Sequence, residues 1–281
     1  MHATTLALVG ATGGAGTTRT AVELAAIGAR DGLDVAVVDA AFTTQGLSEY
    51  VSGRIDPDLT TLLTDEPETS LSAAAYPIAG TEDARGENAG GGNAGGEDTR
   101  RAANNAAGAA LPGRVDAIPA RAPFERLARA KTAEAARTLE RRIDEAATAY
   151  DAVVVDAAPL GSNEAVAAAT CVDRAVAVRP ATAHGRDATQ RLRGRMADVG
   201  GGLDATLAVD RAAADGGEGT DGAGDEAVEI PTTDPSVSAA PTAARGEGAH
   251  ARAMTAAYET AFDASTGIEF ADTGLVDRFT R

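Results

Sequence analysis

The sequence predicts an α/β fold in which a mainly parallel, doubly wound β-sheet lies between two layers of helices. Three observations support this prediction. Short apolar runs typical of buried parallel strands recur along the chain, and helical segments separate most of them. Two of the runs end in an aspartate. A glycine-rich stretch follows the first run, where a turn between the first strand and the first helix is expected.

The first strand–helix–strand unit lies in the N-terminal part of the chain. Residues 6–9 predict a buried strand, and residues 17–31 predict a helix that ends at Gly32. Residues 35–39 predict a second buried strand. Because continuous apolar strands joined by a helix pair in parallel, this unit predicts the architecture of the rest of the sheet.

The same alternation continues toward the C-terminus. Short helical pieces are expected at residues 47–51 and 59–63, further strands at 115–119, 150–156, 173–178, 205–209 and 229–231, and further helices at 123–150, 166–171, 185–198 and 249–263. Ligands bind at the carboxyl ends of parallel strands. We therefore expect residues 10–18, Asp39, Asp156 and Asp210 to lie together, since each follows or ends a predicted strand.

Two low-complexity segments interrupt this pattern. Residues 80–113 consist largely of Gly, Ala, Asn and charged residues, and residues 212–227 are acidic and rich in Gly. The first is predicted to be a disordered surface insertion and the second a linker, because neither contains enough large apolar groups to form a core. The α/β pattern resumes after each, so we expect a single domain over residues 1–281.

The charge of the chain argues against some classes of partner. The formal net charge is −17, and Lys131 is the only lysine. Such a surface repels nucleic acid and anionic lipid at moderate salt, so no direct nucleic-acid binding is indicated. The composition resembles that of proteins from salt-accumulating haloarchaea, whose acidity reflects the solvent rather than a partner.

The cysteine, histidine and hydropathy patterns argue against a metal site built on these residues and against a membrane-spanning or secreted protein. Cys171 is the only cysteine, and the three histidines show no metal-ligand spacing. No apolar run is long enough to span a bilayer, and the N-terminus does not resemble a signal peptide, which predicts a cytoplasmic protein. The apolar residues near the C-terminus lack a basic face, so peripheral membrane binding is not expected; they are Ile268, Phe270, Leu275, Val276 and Phe279.

The glycine-rich stretch fits the frame of a P-loop. In a P-loop, backbone N–H groups hold phosphates, a lysine neutralises phosphate charge and a hydroxyl binds Mg²⁺. Gly16 and Thr18 occupy the expected glycine and hydroxyl positions, whereas Thr17 stands where the lysine belongs. The stretch therefore indicates phosphate binding, and the missing lysine leaves hydrolysis open.

The same glycines also fit a dinucleotide-binding fingerprint. The spacing Gly10-x-x-Gly13-x-x-Gly16 matches that fingerprint, and Asp39 lies where an acid would bind the ribose. The stretch by itself therefore leaves both ATP and NAD(P) as candidate cofactors.

Later segments favour the P-loop interpretation. Residues 12–18 resemble the deviant P-loop Lys-Gly-Gly-x-Gly-Lys-Thr of the MinD/ParA family, and residues 35–41 with 45–50 resemble its Asp-x-Asp segment. Residues 150–159 resemble its Walker B strand, residues 173–180 the strand that follows, and residues 230–237 its Ile-Pro-x-Asp segment beside the base. The chain is thus similar to P-loop NTPases that position division sites, chromosomes and other cargo.

The resemblance implies a nucleotide site for ATP or ADP with Mg²⁺. The residues implied to contact the nucleotide are Gly13, Gly14, Ala15, Gly16, Thr17, Thr18, Arg19, Asp210 and Pro231. Thr18, Asp39 and Asp156 would hold Mg²⁺, and the two aspartates would be the catalytic acids. The resemblance also implies homodimerisation through the P-loop face, or another protein partner.

Four departures from the family pattern weaken the implied chemistry. Thr12 and Thr17 replace the two lysines, Ala41 replaces the second acid of Asp-x-Asp, and Asp210 stands where an asparagine usually contacts adenine. These changes predict a regulatory protein that binds nucleotide while its hydrolysis is weak or lost. Two alternatives stay open: an active ATPase that uses a substitute cation such as Arg19 or K⁺, and a Rossmann-type protein that binds NAD(P).

Overall fold

A computed structural model describes residues 3–81, 110–210 and 227–271. The strands in these ranges are β1 (Thr4–Gly10), β2 (Asp34–Ala40), β3 (Tyr76–Pro77), β4 (Arg114–Ile118), β5 (Ala152–Ala157), β6 (Arg174–Pro180), β7 (Ala205–Val209) and β8 (Ala227–Ile230). They form one eight-stranded sheet in the order β3-β4-β2-β5-β1-β6-β7-β8. All neighbours pair in parallel except β3, which runs antiparallel to β4 at one edge.

Helices cover both faces of the sheet. The α-helices of the described residues are α1 (Thr17–Arg30), α2 (Leu59–Thr64), α3 (Phe124–Ala130), α4 (Ala133–Ala149), α5 (Asn163–Thr170), α6 (Ala183–Asp198) and α7 (Ala249–Phe262). Helices α1 and α7 pack on one face, and the residues of α2 to α6 pack on the other. The predicted three-layer, doubly wound α/β fold is confirmed.

The strands bury both of their faces, as the continuous apolar runs predict. In β1, Leu6 and Leu8 point into the core beneath α1, whereas Ala7 and Val9 point into the core on the other side. Small side chains allow the helices to approach the sheet closely. At Gly28 of α1, a Cβ atom would lie 2.8 Å from Val35 Cγ2, so any side chain at this position would have to displace the side chain of Val35.

The prediction of one long helix over residues 123–150 is wrong. The chain forms α3 and α4 instead, and Lys131 and Thr132 separate them. The Thr132 hydroxyl accepts a hydrogen bond from the Ala135 N–H and caps the N-terminus of α4. The spacing of apolar residues places Phe124 on the buried face of the predicted helix, yet it is 86% exposed at the start of α3. Periodicity alone hides such a break, because both helices keep the helical spacing of their apolar residues.

The boundaries of the two predicted low-complexity segments are partly wrong. Leu111 is buried in the core, and Ala227 is the first residue of β8. Most of both segments, residues 82–109 and 211–226, lies outside the described residues. The two-residue strand β3 was not predicted, because it is too short to show an alternating pattern.

Part of the apolar C-terminus belongs to the core. Ile268 and Phe270 pack against the α1 face, and the guanidinium groups of Arg30 and Arg252 lie 5.0 and 4.7 Å from the centre of the Phe270 ring. Leu275, Val276 and Phe279 lie outside the described residues. Within the described ranges, no helix combines the length and the apolar character that crossing a bilayer requires.

The stability of this fold is expected to rise with salt. A net charge of −17 repels itself at low ionic strength, and the Debye length falls from about 10 Å at 0.1 M to about 3 Å at 1 M. We expect the Tm to rise by roughly 5–10 °C between these conditions, which corresponds to about 2–3 kcal/mol. Calorimetry in KCl measures this rise, with sucrose of equal osmolality as control. A Tm that does not change with KCl would contradict it.

Candidate functional site

The glycine-rich loop connects β1 to α1 at the carboxyl edge of the sheet. The Ala11 N–H donates to the Val178 carbonyl of β6 over 2.9 Å, which fixes the start of the loop. Gly14 and Gly16 have positive φ angles of 68° and 92°. Only glycine adopts this backbone readily, so the two residues explain why the loop can turn tightly into α1.

The N-terminus of α1 is suited to an anion. Gly16 is the N-cap residue and contributes no side chain, and the first turn of α1 contains no acidic residue. The first N–H groups of a helix have no intrahelical acceptor, and the helix dipole adds partial positive charge there. Gly13 and Gly14 are exposed, so the backbone of the loop is accessible to a ligand. This geometry fits a phosphate group.

Two aspartates lie beside the loop, as the sequence predicts. Asp39 at the end of β2 and Asp156 at the end of β5 are register partners, and both are fully buried. The Thr18 hydroxyl of α1 donates to Asp156 Oδ2 over 2.6 Å. The structure therefore brings Thr18, Asp39 and Asp156 together.

Burial shifts the titration of both carboxyl groups. Loss of water raises the pKa of Asp39 and of Asp156 above the ordinary range of aspartate, and the nearby charge of Asp156 raises the pKa of Asp39 further. Hydrogen bonds act in the opposite direction. The Ala41 and Ala120 N–H groups donate to Asp39, and Thr18 donates to Asp156. Two acids held this way repel each other unless a cation lies between or beside them.

The oxygen atoms of this cluster fit a magnesium ion. Asp156 Oδ1 is buried and has no hydrogen-bond partner among the described residues. Leaving a buried carboxylate oxygen without a partner costs free energy, and a hard cation would remove that cost. The Thr18 hydroxyl is the second oxygen ligand suited to Mg²⁺, and the Asp39 carboxylate adds negative charge.

Neither threonine at the lysine positions supplies a charge. The Thr17 hydroxyl packs beneath the loop, 2.9 Å from where a Cβ of Gly10 would lie. Thr12 belongs to the loop itself, and its carbonyl accepts from the Ala15 N–H over 3.3 Å. The backbone of the phosphate loop is therefore present without the two cations of the related P-loop.

The Arg19 guanidinium is occupied outside the loop. Its Nε atom donates to Glu23 Oε1 over 2.7 Å, and its two terminal nitrogens donate to the Ser236 carbonyl and the Thr242 hydroxyl. Arg19 would have to leave all three acceptors to neutralise a phosphate. Its predicted contact with nucleotide stays a prediction.

The single lysine lies near the same edge of the sheet. Lys131 Nζ donates to the Thr43 hydroxyl over 2.6 Å and lies 3.6 Å from Glu164 Oε1. Thr43 follows β2, and Glu164 lies in the first turn of α5, which follows β5. Lys131 thus connects the segments that come after the two aspartates, a placement that the sequence does not predict.

Asp210 and Pro231 lie on the other side of the loop. Val209 precedes Asp210, and its Cγ1 atom is 3.9 Å from where a Cβ of Gly16 would lie. The Asp210 N–H donates to the Ile230 carbonyl over 2.8 Å, which holds the ends of β7 and β8 together. Asp210 is exposed next to the loop, away from Asp39 and Asp156.

Three further residues border the site. Gly46 packs against Thr18, because a Cβ on Gly46 would lie 3.2 Å from Thr18 Oγ1. Burial raises the pKa of the Tyr50 hydroxyl, whereas the charge of Arg19 lowers it. Glu23 is 1% exposed in α1. The sequence contains one signal for Glu23 as a residue of the site, because Glu23 is an acid among the apolar residues of α1.

Solved structures share this fold. MinD from Pyrococcus horikoshii, in complex with Mg-ADP, has a TM-score of 0.66 at 16% identity over 92% of this chain and 94% of its own. MinD from Pyrococcus furiosus, a cell-division ATPase, has a TM-score of 0.55 at 16% identity over 75% and 74% of the two chains. A point variant of McdA from Cyanothece, in complex with ATP, has a TM-score of 0.52 at 17% identity over 74% and 71%.

The chain has the MinD/ParA fold. The sequence matches no protein-family model, and no curated protein is significantly similar to it. At these identities the MinD/ParA fold is established, whereas the chemistry of the site rests on the residues described above. The MinD/ParA fold places the loop, the two aspartates and the ends of β7 and β8 at one edge of the sheet.

Proposed function

We propose that the chain is a regulatory protein that binds ATP or ADP with Mg²⁺ and hydrolyses ATP slowly or not at all. One observation carries this proposal: Thr18 and the buried, partnerless Oδ1 of Asp156 lie beside a glycine loop that lacks both lysines. Its biological role would be spatial organisation, such as division-site placement or the partitioning of chromosomes or other cargo. The cytoplasmic location that the sequence predicts is part of this proposal.

Different groups of the site would bind the phosphates and the magnesium ion of Mg-nucleotide. N–H groups of the loop and of the first turn of α1 would bind the phosphates. The Thr18 hydroxyl and the Asp156 carboxylate would hold Mg²⁺, which supplies positive charge to the phosphates. Asp39, fixed by two backbone N–H donors, would contribute the second negative charge beside the ion.

The same residues explain why hydrolysis would be slow. Phosphoryl transfer depends on cations placed around the transferring group, and Thr12 and Thr17 place none there. Ala41, at the end of the Asp-x-Asp segment, has only a methyl group and cannot orient a water molecule through a hydrogen bond. Binding and conformational change would therefore be the functional output, rather than turnover.

Titration with labelled nucleotides tests the proposal. At molar KCl we expect Mg-ATP and Mg-ADP to bind, EDTA to weaken both, and ATP turnover to stay near background. Turnover at the rate of an ordinary ATPase would favour the alternative with a substitute cation. Binding of NAD(P) without binding of ATP would overturn the proposal.

The arrangement of Asp39 does not favour the NAD(P) alternative. A ribose-binding acid must present its carboxylate to the ligand. Asp39 is fully buried beside Asp156, and the N–H groups of Ala41 and Ala120 occupy its oxygens. Two solved structures of the same fold, MinD from Pyrococcus horikoshii and the McdA variant, contain ADP and ATP respectively.

We further propose that the chain forms a homodimer through the edge that carries the loop. Phe124 supports this proposal, because it follows the carboxyl end of β4 at that edge and is 86% exposed. Aromatic residues are enriched at protein interfaces, so a partner that covered this side chain would bury apolar area there.

Replacement of Phe124 with alanine is expected to weaken the dimer about tenfold or more, since buried aromatic anchors contribute on the order of 2 kcal/mol. Sedimentation equilibrium with Mg-ATP at molar KCl measures the change. Val199→Ala is the matched control, because Val199 is 41% exposed at the end of α6, before β7 begins at the opposite edge. An equal effect of the two substitutions, or none at Phe124, would contradict this interface.

A further inference from the structure

The site is asymmetric about the phosphate loop. Strand β1, which leads into the loop, has β5 on one side and β6 on the other. Asp156 lies at the end of β5, so the metal and the terminal phosphate belong on that side. The nucleoside must then extend toward β6, β7 and β8, where Val209 borders Gly16.

A segment that we call the strap, residues 231–243, leaves this nucleoside side and crosses α1. It begins directly after β8, and its Pro231 carbonyl accepts a hydrogen bond from His250 Nδ1 over 2.9 Å. Further along, residues 237–239 lie against residues 46–50, which follow β2. The strap therefore spans the N-terminal turns of α1 from the base side to the metal side.

Arg19 holds the strap through two hydrogen bonds, and a third hydrogen bond within α1 orients its guanidinium. Its terminal nitrogens donate to the Ser236 carbonyl over 3.1 Å and to the Thr242 hydroxyl over 2.8 Å. Its Nε donates to Glu23 over 2.7 Å, which fixes the plane of the guanidinium. The Thr242 hydroxyl also accepts from the Thr233 hydroxyl, so the contact reaches the part of the strap nearest the base side.

Glu23 holds the same segment from beneath. Its Oε1 accepts from the Thr242 N–H over 2.9 Å, and its Oε2 accepts from the Ala243 N–H over 2.7 Å. Glu23 is 1% exposed. A buried carboxylate needs these donors and the adjacent guanidinium, which makes the pairing of α1 with the strap specific.

We propose that Arg19 and Glu23 are positioning residues that hold the base-side wall of the nucleotide site, so that Arg19 determines affinity for the nucleoside and not for the phosphates. This inference rests on the proposed function, because it assumes that a nucleotide binds at the loop. It gives Arg19 a different role from the phosphate contact that the sequence predicts.

The test compares how each substitution changes the affinity for a ligand that has a nucleoside and for a polyphosphate that has none. Calorimetric affinities for Mg-ADP and for inorganic tripolyphosphate with Mg²⁺ are measured at molar KCl for the wild type and for Arg19→Ala. Arg30→Ala is the matched control. Arg30 lies on the same helix, about 16 Å further along its axis. It binds the Gly246 carbonyl and Glu247, and it touches the strap only at its last residue, through a 3.4 Å contact with the Ala243 carbonyl.

For Arg19→Ala we expect the affinity for Mg-ADP to fall about tenfold, which is the loss of about 1.4 kcal/mol, while the affinity for tripolyphosphate stays unchanged. Arg30→Ala is expected to lower the Tm and to leave both affinities unchanged. Arg19→Lys keeps the charge but cannot bridge three acceptors, so it should resemble Arg19→Ala. Equal losses for both ligands, or full affinity in Arg19→Lys, would mean that Arg19 acts through charge on the phosphates and would overturn the inference.

A measurement without nucleotide separates this inference from the proposed function. Amide hydrogen exchange at Thr242, which Arg30 does not contact, should accelerate in Arg19→Ala and stay slow in Arg30→Ala. Unchanged exchange in Arg19→Ala would show that Arg19 does not position the strap. If the wild type binds neither ligand, the proposed function is wrong, and so is the role of Arg19 in nucleoside affinity. The exchange data alone then decide whether Arg19 positions the strap.

Discussion

Replacement of Thr17 with lysine is expected to raise the affinity for Mg-ATP about tenfold or more, since a charge-assisted contact with phosphate contributes about 1.5–3 kcal/mol. The Thr17 side chain starts at the first residue of α1 and lies beneath the loop beside Gly10. A lysine there adds the cation that the loop lacks, without altering the N–H groups that hold the phosphates. Calorimetric titration with Mg-ATP at molar KCl measures the gain.

Thr148→Lys is the control for the added charge. Thr148 is exposed near the end of α4, which precedes β5 and so lies at the edge of the sheet opposite the loop. The Thr148→Lys substitution adds the same charge far from the loop and should leave nucleotide affinity unchanged. An equal gain from both substitutions would indicate a general effect of net charge, and no gain at Thr17 would refute phosphate binding at the loop.

Hydrolysis in Thr17→Lys should stay slow, because the lysine restores only one of three missing groups. Thr12 still contributes no cation, and Ala41 still contributes no acid. Tighter binding of the ground state alone does not lower the barrier to reaction.

Replacement of Asp156 with asparagine is expected to stabilise the nucleotide-free protein by about 1–2 kcal/mol and to abolish the Mg²⁺ dependence of nucleotide binding. The asparagine keeps an oxygen that can accept from Thr18, while it removes a buried charge next to Asp39. Thermal unfolding and titration in Mg²⁺ or EDTA measure the two effects.

The stabilisation that Asp156→Asn provides should increase as the pH rises. Burial raises the pKa of Asp156 above its value in the unfolded chain, which is about 3.9. A group of this kind supports the fold fully below the unfolded pKa, and its contribution is lost as the pH rises through the folded pKa. The wild type and Asp156→Asn should therefore have similar stability near pH 4 and diverge as the pH rises toward neutrality.

Asp151→Asn serves as the control for the loss of one negative charge. Asp151 immediately precedes β5, at the end of the strand opposite Asp156, and it is exposed. A stabilisation of equal size at this position would show that net charge, rather than repulsion at the metal site, explains the effect.

Much of the fold could be predicted because its strands are buried on both faces. Residues 35–38 and 152–155 are continuous apolar runs, an aspartate follows each, and both runs form central strands of the sheet. The division between α3 and α4 could not be predicted from periodicity. It depends on the single cap at Thr132, whose hydroxyl is also compatible with an exposed position inside a helix.

The grouping of Thr18, Asp39 and Asp156 could be predicted, because parallel strands bring their carboxyl ends to one edge. The partners of Arg19 could not be predicted in the same way. Its guanidinium contacts residues 217 and 223 positions further along the chain, and no local pattern encodes contacts of that range. The family resemblance implies a contact between Arg19 and the nucleotide, whereas the tertiary contacts turn its side chain toward the strap.

The contacts at both ends of α1 have a consequence for synthesis of the chain. Arg19 and Arg30 each pair with residues more than 200 positions downstream, and Met254, Tyr258 and Phe262 of α7 belong to the same core cluster as the buried face of α1. While a ribosome is still translating the second half of the protein, that face has no cover, and a nascent chain in this state is prone to aggregation. The buried face of α1, which directly follows the glycine-rich loop, is thus covered only after α7 has emerged from the ribosome.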